Sequence, residues 1–241
     1  MRVLASKDYD QMSRRAAYIV AGQVLLNPRS VLGLPTGSTP QGLYRELVRL
    51  FQEGDLDFSE VTAFNLDEYL GLPRTDPQSY AWFMEENLFK FVNVPPERRH
   101  IPDGMATDPE GECARYERKI EAAGGIDLQI LGLGREGHIG FNEPGVKFEK
   151  HTHLIRLTEG TIQANARFFS SPEQVPTRAL TMGIKSIMGA KRIILLASGQ
   201  EKADAVAAAV RGPVSPELPA SILQLHPDVT FVVDGAASSK L

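Results

Sequence analysis

A single cysteine, Cys113, rules out an intrachain disulfide in this 241-residue chain. It stands among Glu112, Arg115 and Tyr116 on an expected helix, where a lone thiol reads as a small packing residue rather than a nucleophile. The five histidines are scattered without ligand spacing, so together with one cysteine they give no metal site. Positive charge is not in excess. The formal net charge of −4 offers no basic field to a nucleic acid or an anionic membrane. No apolar run is long enough to span a bilayer, and the first ten residues lack the apolar core of a secretory leader. The expectation is a cytoplasmic protein with no metal, no nucleic-acid partner and no membrane contact.

What is present is alternation. Short apolar, β-branched runs predict strands over 2–4, 30–34, 61–64, 128–133, 153–157, 192–197 and 229–233. Helical periodicity fills the gaps, over 9–26, 41–53, 80–91, 109–122, 161–166 and 202–211, with a further helix over 179–188. Several strands are apolar throughout, as parallel strands covered on both faces must be. The reading is a Rossmann-like, doubly wound, mostly parallel α/β sheet with helices on both faces, in one domain over 1–241. Ligands then belong in the turns beyond the strands' carboxyl ends. Residues 145–176 have weaker periodicity and several turn signals, and are expected to form a mobile lid.

The most informative such turn follows the apolar run 126–133. Gly134-Arg-Glu-Gly-His-Ile-Gly-Phe-Asn-Glu143 places Glu136, His138 and Glu143 within eight residues of a glycine-rich bend. An imidazole flanked by carboxylates moves protons near neutral pH. The spacing Gly132-x-Gly134-x-x-Gly137 matches a dinucleotide fingerprint only superficially, because Gly140 and Pro144 interrupt the long helix that fingerprint needs.

A second turn, Gly33-Leu-Pro-Thr-Gly-Ser-Thr-Pro40, is rich in hydroxyls. Thr36, Gly37, Ser38 and Thr39 can seat a phosphate at the start of the next helix, with Thr39 as N-cap and Pro40 as its first residue. No Gly-Lys-Ser/Thr follows, so it is not a nucleotide P-loop. Read alone, it is equally a capped turn that binds nothing. A third, Phe64-Asn-Leu-Asp-Glu-Tyr-Leu-Gly71, puts Asp67 and Glu68 where a partly desolvated carboxylate serves as a general base, or where an acidic loop merely caps the next element. Arg167 and Lys202 are candidate phosphate cations, or ordinary surface charges.

Taken together, Leu34-Pro-Thr-Gly-Ser-Thr-Pro40, Phe64-Asn-Leu-Asp-Glu-Tyr69, Gly137-His-Ile-Gly-Phe-Asn-Glu-Pro144 and Asn165-Ala-Arg-Phe-Phe169 closely resemble the glucosamine-6-phosphate deaminase family. The similarity runs in order along nearly the whole chain, through Ala179-Leu-Thr-Met-Gly183 and Leu223-Gln-Leu-His226. It implies conversion of glucosamine 6-phosphate and water to fructose 6-phosphate and ammonia, with no cofactor. It also implies roles: Asp67 as the base that moves a proton from C2 to C1, and His138 as the acid/base that opens the ring. Glu143 would support His138, and the loop Thr36 to Thr39, Arg167 and Lys202 would hold the phosphate.

One position departs from the family pattern. Glu136 stands where Asp or Asn is typical, and its extra methylene changes its reach toward His138. His153 and Ile155 occupy a segment where allosterically regulated members carry basic residues, and the chain ends soon after Val233, so effector control is not expected. The residues leave open a 6-phosphogluconolactonase-like hydrolase, a deaminase preferring galactosamine 6-phosphate, and a non-catalytic sugar-phosphate sensor.

Overall fold

The apolar runs pair in parallel. The computed structural model describes residues 1–241, apart from the side chains of Phe168 and Pro172. Strands β1 (Arg2–Ser6), β2 (Val31–Leu34), β3 (Thr62–Asn65), β5 (Arg99–His100), β6 (Leu128–Gly132), β9 (Arg192–Ala197) and β10 (Val229–Asp234) form one sheet. Its order is β1-β10-β9-β6-β2-β3-β5, and every neighbouring pair is parallel.

Helices cover both faces. Leu32, Ile130, Ile194, Leu196 and Val232 point into one core with α1 (Tyr9–Leu26), α2 (Gln41–Gln52) and α3 (Tyr80–Asn87). Alternate residues Val31, Leu131, Ile193, Leu195 and Phe231 point into the other, with α4 (Pro109–Ala122), α6 (Ile184–Met188) and α7 (Ala203–Arg211). Burial on both faces is why these strands read as unbroken apolar runs. Among the described residues, no helix is long and apolar enough to cross a membrane.

From β2 the chain winds outward through β3 to β5, then returns to the other side of β2 with β6 and winds through β9 to β10. The winding reverses between β2 and β6, and the crevice beyond their carboxyl ends is where such sheets bind ligands.

A second sheet of three antiparallel strands lies on this end of the molecule. It is built from β4 (Asp67–Tyr69), β8 (Arg178–Thr181) and β7 (His153–Arg156), in the order β4-β8-β7. Tyr69, Phe141, Leu157 and Ala179 form a small core beneath it, with Tyr80 and Phe169 packed alongside. Short α5 (Glu159–Asn165) follows β7.

This sheet is where the sequence reading and the structure differ most. The expected helix over 179–188 is a strand, then a turn, then the five residues of α6. Ala-Leu-Thr-Met is too short an apolar run for periodicity to separate strand from helix. Gly183 enforces the break, because a Cβ there would overlap the backbone carbonyls of Lys150 and His151. Gly183→Ala is therefore expected to destabilise the fold by about 1–3 kcal/mol, read as a lower midpoint of urea unfolding with an unchanged slope. The expected strand over 153–157 exists, but it belongs to the antiparallel sheet. The helix expected over 80–91 ends at Asn87 and is followed by a 3₁₀ turn, Phe89–Phe91. β4, β5 and β8 were not anticipated; the first two are only three and two residues long.

Candidate functional site

Four turns at the carboxyl end of the parallel sheet meet around a cleft of about 880 Å³. The turn after β2 supplies its hydroxyls. Gly37 has φ of +99°, a backbone that favours glycine, which lets the chain bend before α2. The expected cap does not form: the residue at the N-cap is Pro40, in helical conformation, and no side chain caps the helix. Tyr9 of α1 braces the turn instead. Its hydroxyl lies 3.2 and 3.1 Å from the carbonyl oxygens of Ser38 and Thr39 and accepts the Gly42 N–H at 2.8 Å. The Thr39 hydroxyl is thus not spent on a cap, and Thr36, Gly37, Ser38 and Thr39 all line the cleft.

Asp67 begins β4, immediately beyond β3, and is 6% exposed. Burial, reinforced by the negative charge of neighbouring Glu68, pushes its pKa up to about 8. Glu68 is more deeply buried, and its carboxylate closes the start of α3. One oxygen accepts N–H groups of Tyr69 at 2.8 Å and Tyr80 at 2.9 Å, and the other accepts the Ala81 N–H at 2.9 Å. These three donors favour the charged form, yet burial still lifts its pKa to about 7.

The turn after β6 carries His138. Its shape is set by Gly134, whose N–H donates to the His138 carbonyl at 2.9 Å and whose carbonyl accepts the Gly137 N–H at 3.1 Å. The imidazole packs directly on Gly134, and a Cβ there would overlap the ring. Burial pulls the His138 pKa down to about 4, opposed by the Glu143 carboxylate and reinforced by the Lys202 cation. The ring is therefore neutral at physiological pH and able to accept a proton.

Glu143 closes the turn from behind. One oxygen accepts the Thr158 N–H at 3.1 Å, while its other oxygen is buried without a hydrogen-bond partner among the described residues. The turn is bolted to β8, since Thr181 Oγ1 accepts the Phe141 N–H at 3.0 Å and Asn142 donates to the Met182 carbonyl at 2.8 Å. Gly140 fills the space between the imidazole turn and the buried carboxylate, and a Cβ on it would lie 3.4 Å from Asp67 Oδ2. Asp67 and His138, 71 positions apart in sequence, thus line the same cleft.

Lys202 comes from the turn after β9. Asp234, at the end of β10, accepts the Ser198 hydroxyl and the Gly199 and Ala237 N–H groups, which fixes that turn. Burial lowers the Lys202 pKa to about 8, with Glu201 raising it and the cations Arg135 and Arg167 lowering it further. Arg167 follows α5, with a guanidinium nitrogen 3.4 Å from Ser38 Oγ. Every residue put forward from the sequence therefore lies in or against one cleft. Glu136 is the outlier in character: it is exposed, at the cleft's rim beside Gly160 of α5, whereas Glu143 is the carboxylate whose charge acts on His138.

Sequence reasoning missed Tyr9, Asp234, Arg45 and Arg135, and the residues alone did not separate Glu68 from Asp67. Tyr9 and Asp234 act on turns 29 and more than 30 positions away, so no local pattern marks them. Arg45 and Arg135, both in the cleft wall, look like any other surface charge in sequence.

Residues 7–232 match the sequence profile of the family described as Glucosamine-6-phosphate isomerases/6-phosphogluconolactonase. A glucosamine-6-phosphate deaminase of Clostridioides difficile (strain 630) is 59% identical over 241 residues, covering 100% of this chain and 97% of that relative. A solved structure of a monomeric glucosamine-6-phosphate deaminase superposes with a TM-score of 0.98 at 48% identity, covering 100% of both chains. A 6-phosphogluconolactonase from Leishmania guyanensis shares the fold, with a TM-score of 0.79 at 22% identity over 100% of this chain and 98% of its own. A profile match over nearly the whole length, joined to a relative of this identity, places the chain in the glucosamine-6-phosphate isomerase/6-phosphogluconolactonase family.

Proposed function

We propose that this chain is a glucosamine-6-phosphate deaminase, which converts glucosamine 6-phosphate and water to fructose 6-phosphate and ammonia. The observation that carries the reading is a buried carboxylate and a neutral imidazole lining one cleft that is also lined by hydroxyls and cations. A sensor needs the phosphate seat but has no use for a proton relay. Full-length identity of 59% to a protein named as the deaminase supports this activity over the lactonase, to which the likeness is one of fold.

The chemistry follows from the groups. The Thr36 to Thr39 turn, Arg167 and Lys202 hold the phosphate, binding energy remote from the reacting carbons that fixes their position. His138 takes the proton of the anomeric hydroxyl and delivers one to the ring oxygen, giving the open 2-amino aldehyde. Glu143, with one oxygen uncommitted, steadies the imidazolium formed on the way. With the amine as its ammonium, ionised Asp67 then removes the C2 proton while an ammonium proton passes to the aldehyde oxygen, giving a neutral enolamine, and Asp67 returns its proton to C1. The product is a C2 iminium, which water hydrolyses to the ketone with loss of ammonia. No electrons leave the substrate, so the steps need no redox partner.

Residues 145–176 serve as the lid over the sugar. In support, α5 and Arg167 line the cleft, and Glu143 holds the first residue before α5. A phosphorylated amino-sugar substrate and one buried thiol, Cys113, support a cytoplasmic location.

The test is coupled detection of fructose 6-phosphate and ammonium, in equal amounts, from purified protein and glucosamine 6-phosphate. Galactosamine 6-phosphate and 6-phosphogluconolactone run in parallel. Absence of ammonium, or faster lactone hydrolysis, overturns the reading.

The pH profile of kcat/KM carries a further expectation. Asp67 acts as a base only when ionised, so activity climbs about tenfold per pH unit below its pKa of about 8. Lys202 grips phosphate only when charged, so activity falls above about 8. The profile is a narrow bell near pH 8, with no limb near 6.5 because His138 has been moved to about 4. A plateau from pH 6 to 7 contradicts the assignment of Asp67.

A further inference from the structure

The turn after β6 carries, beside the imidazole, a cation that the deaminase reading leaves without a task. Arg135 is exposed on the cleft wall, on a turn whose shape is fixed by the Gly134 and His138 backbone. Its charge acts on the Lys202 ammonium more strongly than that of Arg167 does. The charged and titratable groups facing Lys202 are Glu201 on its own turn, Arg135 and His138 on the β6 turn, and Arg167 after α5. His138 is neutral, so three cations stand together against one carboxylate. Like charges drawn together repel, and a dianion among them turns that repulsion into charge-assisted hydrogen bonds. Neighbouring Glu136, whose carboxylate lies near Gly160 of α5, forms no ion pair with Arg135 among the described residues and is not among the charges that act on Lys202.

We propose that Arg135 is a third cation of the phosphate-binding end, acting with Arg167 and Lys202 on the substrate's phosphoryl group. The inference rests on reading the cleft as a sugar-phosphate site. It makes Arg135 a binding and positioning residue, with no part in proton transfer. A guanidinium offers the planar fork that matches two phosphoryl oxygens at once, which an ammonium does not.

The test uses sulfate, a dianion at every pH from 6 to 10, titrated calorimetrically into the purified full chain. Arg135→Gln should weaken sulfate binding at pH 7 on the order of tenfold, and Arg135→Lys by less. A second readout separates recognition from damage. Wild-type affinity should fall above about pH 8 as Lys202 loses its charge. In Arg135→Gln that fall should move to higher pH, because Lys202 has lost a like-charged neighbour. With glucosamine 6-phosphate, the loss in kcat/KM should be carried by KM.

Sulfate affinity unchanged in Arg135→Gln overturns the proposal. So does weaker binding whose pH dependence stays in place, which marks a structural defect. Lys202→Gln locates the probe: if it leaves sulfate binding intact, the anion sits elsewhere and the proposal fails. None of these readouts needs turnover. Sulfate data as expected, with no ammonium from glucosamine 6-phosphate, would refute the deaminase reading alone. Ammonium release with sulfate affinity indifferent to Arg135 would refute this inference alone.

Discussion

Asp67→Asn is expected to lower the rate of ammonium release by roughly 10²–10⁴-fold, the range that one positioned general base contributes. The amide matches the carboxylate in shape but cannot take a proton from carbon. The amide is neutral, as Asp67 itself largely is below its pKa of about 8, so the fold should be no less stable near neutral pH. Affinity for glucosamine 6-phosphate, measured by calorimetry on the inactive variant, should stay within a few-fold, because the phosphate seat is built from other turns. Exchange of the C2 hydrogen with deuterated solvent should disappear together with turnover. A variant that keeps more than a tenth of the wild-type rate would move the base elsewhere, and Glu68, buried next to it, would be the first group to test.

The second large effect belongs to His138. His138→Gln keeps a polar group of similar reach against Gly134 but loses the ability to take and return a proton. Ring opening then falls back on the uncatalysed reaction, and kcat should drop on the order of 10²-fold or more. The steps after ring opening keep their base. With ring opening now rate-limiting and Asp67 acting only after it, the rising limb set by Asp67 near 8 should flatten in the slow variant. If that limb keeps its full slope in the slow variant, ring opening is not the step that was slowed and the division of labour between the two residues is wrong. A substrate analogue already locked in the open-chain form gives an independent check, since it should lose far less rate in His138→Gln than in Asp67→Asn.

Much of this site was legible because its parts are local. Gly37, Gly137 and Gly140 all have positive φ, and each stands in a turn that the spacing of glycines and hydroxyls had already marked. The strands were legible for a related reason: burial between two helical layers leaves no room for polar residues, so β6, β9 and β10 announce themselves as apolar runs. What could not be read is whatever depends on distant partners. Ala179 to Thr181 became a strand because β4 and β7 flank it, and neither partner is near in sequence. Thr39 was not needed as a cap, because Tyr9 braces the turn from the preceding helix. Glu68 looked interchangeable with Asp67 in sequence. Only the fold separates them, by turning one toward three backbone donors and leaving the other in the cleft wall.

Because all strands of the large sheet point the same way, the molecule has a working end and an idle end. The turns that lead into β2, β6 and β9, including exposed Pro28, Arg29, Gly124 and Lys191, lie on the side away from the chemistry. That rim is where a fluorescent label, a surface tether or a fused partner belongs, and where new chain ends can be opened with little risk to turnover.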